Sequence, residues 1–155
     1  MNGRRTLLNT LITGGIATLA TTVAASLFSK AEGKTAARPI NAVSHIAWGD
    51  EATRRSEPSV KFTLTGALLN TAAVMSWGLV QEVLLGRFLR KKSVPEALAA
   101  GAAVSGLAYV TDYHVVPKRL TPGFEETLSK RSLAGVYAVL AVGLAVGALL
   151  SSRED

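Results

Sequence analysis

Two histidines and several acidic residues are the side chains of this sequence whose chemistry suits a metal ion. Imidazole nitrogens combined with carboxylate oxygens are typical ligands of zinc, iron or manganese. The spacing gives little support, because the sequence has neither an H-x-x-x-H nor an E-x-x-H pattern, and helical residues two apart diverge. We therefore predict no cofactor, and we keep only weak metal-ligand candidates: His45, Asp50, Asp112, His114 and Glu125.

Other catalytic patterns are missing from the sequence. The chain contains no cysteine, which excludes a disulfide framework, a zinc ribbon, iron–sulfur ligation and thiol catalysis. Ser44 and His45 are adjacent and no G-x-S-x-G elbow occurs, which argues against a serine hydrolase. We predict no catalytic residue, and the sequence favours a protein that is not an enzyme.

Asp112 is the acidic residue whose predicted position in a membrane helix requires a positively charged partner. It lies about 16 residues, or roughly 24 Å, into a predicted membrane helix, close to the edge of the hydrocarbon region. A charge at that depth needs a counter-charge, and Pro117 turns the chain so that the next basic residues fold back. We predict a structural charge pair between Asp112 and Arg119. A role in binding a ligand, a proton or a metal is the alternative.

Four long apolar segments must position these residues. Apolar residues make up 48% of the 155 residues and charged residues 18%, and a helix of about 20 apolar residues crosses a bilayer. The sequence predicts an all-α integral membrane four-helix bundle, a single membrane domain over residues 1–155. The loops are 29–61, 86–96 and 117–132, and the predicted spans are Thr6–Phe28, Phe62–Leu85, Ala97–Val116 and Leu133–Leu150.

The first segment has a second interpretation as a secretory signal, because arginines precede it and residues 23–25 resemble a cleavage site. Its length exceeds the usual signal core of about 7–15 residues. Within the first loop, Arg38-Pro39 begins a short segment that Gly49 closes, with Ile40 and Val43 on one side. This pattern predicts a short interfacial helix lying on the membrane surface.

Helix boundaries and packing faces also have local signals. Ser93 and Glu96 form a capping-box pattern at the start of the third helix, and Pro122 predicts a helical lead-in up to Arg131. Small residues let membrane helices approach closely. They are predicted to pack either within the bundle or against a second copy or another membrane protein. The helix-packing residues are Gly101, Ser105, Gly143 and Gly147.

The net charge of +6 points to a lipid bilayer as the main partner rather than to nucleic acid, because most basic residues flank the apolar segments. Four spans place residues 29–61 and 117–132 on one side. The density of bases near helix ends on the other side predicts cytoplasmic N- and C-termini. Those bases are Arg4, Arg5, Arg87, Arg90, Lys91, Lys92 and Arg153.

Two stretches, SHIAWGDEA at residues 44–52 and DYHVVPKRLTPGFE at residues 112–125, carry a resemblance that extends over most of the chain. Together with the helix spacing, they resemble a family of small, uncharacterised polytopic inner-membrane proteins from proteobacteria. The resemblance implies a bacterial plasma-membrane location and transfers no catalytic residue. Members of that family carry histidines in the middle of the second helix, where this chain has Asn70 and Thr71.

Three functional hypotheses follow. The first is a structural or accessory subunit, or envelope factor, of the inner membrane. The second is a component of an oligomeric transporter or channel for an ion or small solute, and the third is a metal-dependent membrane enzyme. A row of buried polar groups would favour transport, whereas a dry bundle with charged loops locked together would favour the accessory role.

Overall fold

The computed structural model of the protein describes residues 3–89 and 93–151, and every regular element in this part is helical. Three short helices lie between the first two long ones, and two short 3₁₀ turns, Lys118–Leu120 and Phe124–Glu126, precede the last long helix. The short helices are α2 (Arg38–Val43), α3 (His45–Trp48) and α4 (Glu51–Arg54). The long helices are α1 (Gly3–Ala31), α5 (Thr65–Leu89), α6 (Val94–Val110) and α7 (Lys130–Ser151).

Four helical stretches in these residues are long and apolar enough to cross a membrane, as the sequence predicts. A π-helical turn, Val60–Leu64, precedes α5, and a second one, Thr111–Val115, follows α6. All four stretches begin two or three residues before the predicted apolar segments, and all but the third, which stops one residue short, also end beyond them. They are Gly3–Ala31, Val60–Leu89, Val94–Val115 and Lys130–Ser151.

Two serine caps fix the starts of the second and third stretches. At the third, the Ser93 N–H donates to Glu96 Oε2 at 2.8 Å and the Glu96 N–H reaches Ser93 Oγ at 3.4 Å, which is the capping box. At the second, the Phe62 N–H donates to Ser59 Oγ at 3.0 Å and the Ser59 N–H donates to Thr63 Oγ1 at 2.8 Å. This second cap was not predicted.

The contacts divide the described residues into two compact units, and each long helix contributes residues to both. The first unit contains residues 3–21, 71–89, 93–108 and 137–151. Its core is apolar, and its helices approach closely at small residues. A methyl group added at Gly143 would lie 2.9 Å from Ala17 Cα, and one at Gly101 would meet the Ala141 carbonyl. Buried core residues include Ala17, Val74, Val104, Ala108, Leu140 and Leu144.

The second unit contains residues 22–70 and 109–136, and it departs from the sequence prediction in the first loop. Instead of one surface helix, α2 and α3 are separate helices that meet at Ser44, and residues 39–45 are all buried. Gly66 explains the burial, because a side chain there would collide with the Ile40 carbonyl. The segment is therefore packed into the protein on several sides rather than along one apolar face.

The lead-in to the last helix also differs from the prediction. Residues 122–129 contain only the 3₁₀ turn Phe124–Glu126, and α7 begins at Lys130. Gly123 has φ +84°, a left-handed conformation that interrupts any helix begun at Pro122. Of the predicted basic flank, Arg90, Lys91, Lys92 and Arg153 lie outside the described residues.

Candidate functional site

Asn41 organises the first half of the second unit. Its side chain is fully buried, and its Nδ2 donates to the carbonyls of Arg55 at 3.0 Å and Glu57 at 2.9 Å. Its Oδ1 accepts from Thr63 Oγ1 at 2.6 Å. One amide therefore ties α2 to the chain after α4 and to the turn before α5, which fixes the loop.

Glu32 connects the first loop to the segment before α7. Its carboxylate accepts from the Ser129 N–H at 3.0 Å and from Ser132 Oγ at 2.6 Å, and it pairs with Lys34 at 2.8 Å. Lys34 also donates to the Thr127 carbonyl at 2.5 Å. Lys34, followed by the two serines, lowers the pKa of Glu32 from 4.5 to about 2. The two connecting segments are thus joined, as expected for loops on one side of a four-span protein.

His45 is 7% exposed, and its ring is held in one tautomer. Nδ1 lies 2.8 Å from the Ala42 carbonyl. A carbonyl only accepts, so Nδ1 carries a hydrogen and donates it to Ala42. Gly123 makes this arrangement possible, because a methyl group there would lie 2.9 Å from His45 Nδ1 and 2.7 Å from the Ala42 carbonyl O.

A polar cleft of about 600 Å³ lies beside His45, within the second unit. One wall comes from α3, α4 and the residues between them, and the other from residues 118–126, including both 3₁₀ turns. The size is in the range of small-ligand sites, although such sites are usually more apolar. Its lining residues are His45, Gly49, Asp50, Thr53, Arg54, Lys118, Arg119, Thr121, Glu125 and Glu126.

Some of the charges in this cleft are already paired. Lys118 Nζ lies 3.3 Å from Glu126 Oε1, and Thr121 Oγ1 donates to Glu125 Oε1 at 2.5 Å. Arg54 and Asp50 form no ion pair within the described ranges, and the Arg119 side chain is exposed. The two guanidinium groups can therefore bind an anionic group of a ligand, and the carboxylate can bind a cationic group where the ligand has one.

The structure brings together three of the five weak metal-ligand candidates, since His45, Asp50 and Glu125 all line the cleft. Asp112 lies in the π-helical turn after α6, and His114 packs edge-on against Tyr109 with ring centroids 5.7 Å apart. No three His, Asp or Glu side chains in residues 3–89 and 93–151 are placed to share a metal ion. The Asp112–Arg119 pair stays a prediction.

A second polar region lies in the first unit, along α1 and α5. Asn9 Nδ2 donates to Glu82 Oε1 at 3.0 Å, and Gln81 Nε2 donates to the Leu144 carbonyl at 3.0 Å. Gln81 Oε1 is buried with no hydrogen-bond partner in the described structure. The same is true of the hydroxyls of Thr6, Thr10 and Thr18.

The sequence predicts that Gln81 bonds a neighbouring helix, and its bond to Leu144 confirms this. The role of Asn41 and the unpaired oxygen of Gln81 were not predicted. A sequence pattern did point to Asn41, because it is a lone polar residue within the apolar run of the first loop. For Gln81, a single amide in a membrane helix indicates a contact with another helix but does not indicate that one of its atoms stays unpaired. The threonines of α1 gave no signal for unpaired hydroxyls, because threonine in a helix usually bonds a carbonyl one turn earlier.

Comparisons of the chain with protein-family models, with curated proteins and with solved structures gave no match.

Proposed function

We propose that the protein is a multi-pass protein of the bacterial inner membrane and serves there as an accessory or structural subunit. Its task is to present the cleft of the second unit to a partner molecule. Four long apolar helices and the resemblance to small polytopic proteobacterial proteins support the location. The observation that carries the accessory role is the locking together of the two connecting segments that form the cleft.

The hydrogen bonds between the two connecting segments favour a binding function over catalysis. The Asn41 and Glu32 contacts hold both walls of the cleft in place before a partner arrives, which lowers the ordering cost of association. Arg54 and Arg119 then supply exposed positive charge, and exposed charges set partner choice and association rate more than affinity. We infer a partner group that is anionic or zwitterionic.

The density of bases near helix ends on the side of the termini, above all at residues 87–92, supports cytoplasmic termini, with the cleft on the opposite side of the membrane. The chain contains no cysteine, so single cysteines report topology cleanly. In intact spheroplasts, Asp50→Cys and Glu125→Cys should both react with an impermeant maleimide, while Ser93→Cys should not. Labelling of only one of the first two would contradict four spans, and the reverse pattern would invert the orientation.

Partner binding is tested by affinity purification in mild detergent followed by mass spectrometry. The wild type is compared with the double variant Arg54→Gln, Arg119→Gln, and with Arg131→Gln, an exposed arginine of the same unit that does not line the cleft. We expect a reproducible partner that the double variant loses and the control keeps. Equal recovery by all three proteins would contradict the proposal, and metal analysis of the same samples tests the enzyme hypothesis.

One observation favours the second hypothesis, transport of an ion or small solute by an oligomer. The first unit contains buried polar side chains on α1 and α5, some with unpaired oxygens, and polar side chains within membrane spans are typical of ion pathways. Reconstitution into liposomes separates the two roles. A flux that depends on Glu82 would make transport the function, whereas sealed liposomes would leave the accessory role.

A further inference from the structure

The polar region of the first unit includes several side-chain oxygen atoms on neighbouring turns of α1 and α5. The 3.0 Å bond from Asn9 to Glu82 joins the two helices. One turn earlier on α5, a methyl group at Gly78 would lie 3.5 Å from the Thr10 carbonyl O. Thr10 and Glu82 are therefore on neighbouring turns of the same helix contact.

The side-chain amide of Gln81 is held in one orientation by its bond to Leu144. The side chain is 1% exposed, and the carbonyl of Leu144 can only accept, so the Nε2 faces Leu144 and the Oε1 is the atom without a partner. Thr6 and Thr10, one turn apart on α1, also have buried hydroxyls without a partner in the part of the chain described. Unpaired buried oxygens are costly, and a buried oxygen without a protein partner is ordinarily satisfied by water or by an ion.

Glu82 supplies the negative charge. It lies seven residues, or about 10 Å, before the last residue of α5, within a stretch that is apolar enough to cross a membrane. Its hydrogen-bond partner is the neutral amide of Asn9, and no ion pair to it occurs within the described residues. A carboxylate in such a place needs a positive charge close by.

We propose that Glu82, together with the unpaired oxygens of Gln81, Thr10 and Thr6, binds Na⁺. Carboxylate, amide and hydroxyl oxygens are hard ligands, and the set contains no nitrogen or sulfur donor for a softer metal. One carboxylate balances one positive charge, whereas water would pair the oxygens and leave the charge of Glu82 uncompensated. The site is separate from the cleft residues and goes beyond the accessory function.

Thermal unfolding of the full chain in detergent tests the proposal, with NaCl compared against choline chloride at equal ionic strength. A ligand that binds only the folded state stabilises it by RT ln(1 + [L]/Kd). We expect the midpoint temperature of the wild type to rise with the logarithm of the Na⁺ concentration above Kd, and we expect no Na⁺-specific rise in Glu82→Gln. An equal response to both salts in the wild type would overturn the proposal.

Thr10→Val keeps the test decisive if Glu82→Gln does not fold. Valine has the shape of threonine, so removing an unpaired hydroxyl with a purely structural role should leave the salt response unchanged. Removing a ligand should weaken the apparent Na⁺ affinity by about ten-fold or more. Thr18→Val is the matched control, because its hydroxyl is also buried and unpaired but lies eight residues further along α1. A wild-type response in Thr10→Val would count against the site.

A hydrophobic carbodiimide distinguishes Na⁺ from a proton as the occupant, because it reacts with protonated carboxyl groups in apolar surroundings. We expect an adduct on Glu82, detected by peptide mass spectrometry, that Na⁺ suppresses at constant pH and choline chloride does not. Labelling that is insensitive to Na⁺ would identify a proton as the occupant and would refute the Na⁺ proposal.

Discussion

The two units of the molecule differ in how completely the polar atoms of their most buried side chains are bonded. In the second unit, the fully buried polar side chains are bonded: Asn41 in three directions, and Ser29 and Ser44 each to a carbonyl at 2.7 Å. Its unpaired side-chain atoms, such as Arg38 Nε and Glu125 Oε2, belong to partly exposed residues. In the first unit, the Gln81 oxygen is unpaired although that residue is 1% exposed.

The units also differ in how their segments are held together. The first unit relies on close backbone approach, as at Gly101 beside Ala141 and Gly147 beside Thr13, where added side-chain atoms would overlap with backbone. The second unit also has a close approach, at Gly66 beside the Ile40 carbonyl, but it adds hydrogen bonds between its loops. Loss of a loop hydrogen bond should therefore damage mainly the second unit, and an added methyl group at Gly101 should damage the first.

The largest expected effect is that of Asn41→Ala in the second unit. The substitution leaves two carbonyls without this donor and removes the acceptor of the Thr63 hydroxyl, which still accepts from the Ser59 N–H. Each group left unpaired costs about 1–3 kcal/mol. We expect a loss of about 3 kcal/mol or more in the free energy of unfolding, measured by thermal unfolding in detergent. Binding at the cleft should fall as well, since α3 and α4 follow this segment.

Asn70→Ala is the matched control for Asn41→Ala. Asn70 is also buried in the second unit, but it makes one hydrogen bond, to Thr22 Oγ1 at 3.2 Å. A single side-chain bond between membrane helices contributes about 0.6 kcal/mol on average. Equal losses in the two variants would mean that the bonds of Asn41 are not what fixes the loop.

The next largest effect is expected for Gly101→Ala in the first unit. The added methyl group would overlap with the Ala141 carbonyl, which is backbone and cannot turn away, so we expect a loss of about 1–3 kcal/mol. Gly106→Ala on the same helix is the control, because nothing lies within 4 Å of that methyl group. Alanine favours helix there by about 1 kcal/mol. Thermal midpoints that shift equally would show that close approach does not hold the first unit together.

The four long helices could be predicted because hydrophobic length alone requires them. A segment such as Leu133–Leu150 contains no charge over 18 residues. In a lipid bilayer, a single segment can satisfy the hydrogen bonds of its own backbone only as a helix. The capping box at Ser93 and Glu96 could also be predicted, because its two hydrogen bonds join residues only three positions apart in the sequence. Local rules of this kind do not depend on the rest of the fold.

The cleft and the polar region of the first unit were less accessible to sequence reasoning. Arg54 and Arg119 are 65 residues apart, and their common cleft depends on Gly123 and Gly66, which permit close packing in the second unit. Similarly, nothing local indicates that Gln81 turns its nitrogen toward Leu144 and leaves its oxygen unpaired. Such features arise from contacts between distant residues, which a hydrophobic pattern does not encode.

The smallest effect concerns the contribution of Glu32 to the second unit and its dependence on pH. Because Lys34, Ser129 and Ser132 lower the pKa of Glu32 to about 2 in the folded protein, its stabilisation is fully present above the unfolded value of 4.5. It is lost as the pH falls from 4.5 toward 2. The group is partly exposed, so Glu32→Gln should cost only about 1 kcal/mol at pH 7. Thermal unfolding should show the two proteins converging below pH 4.5, and a gap that persisted at pH 2 would contradict the role of the ionised carboxylate.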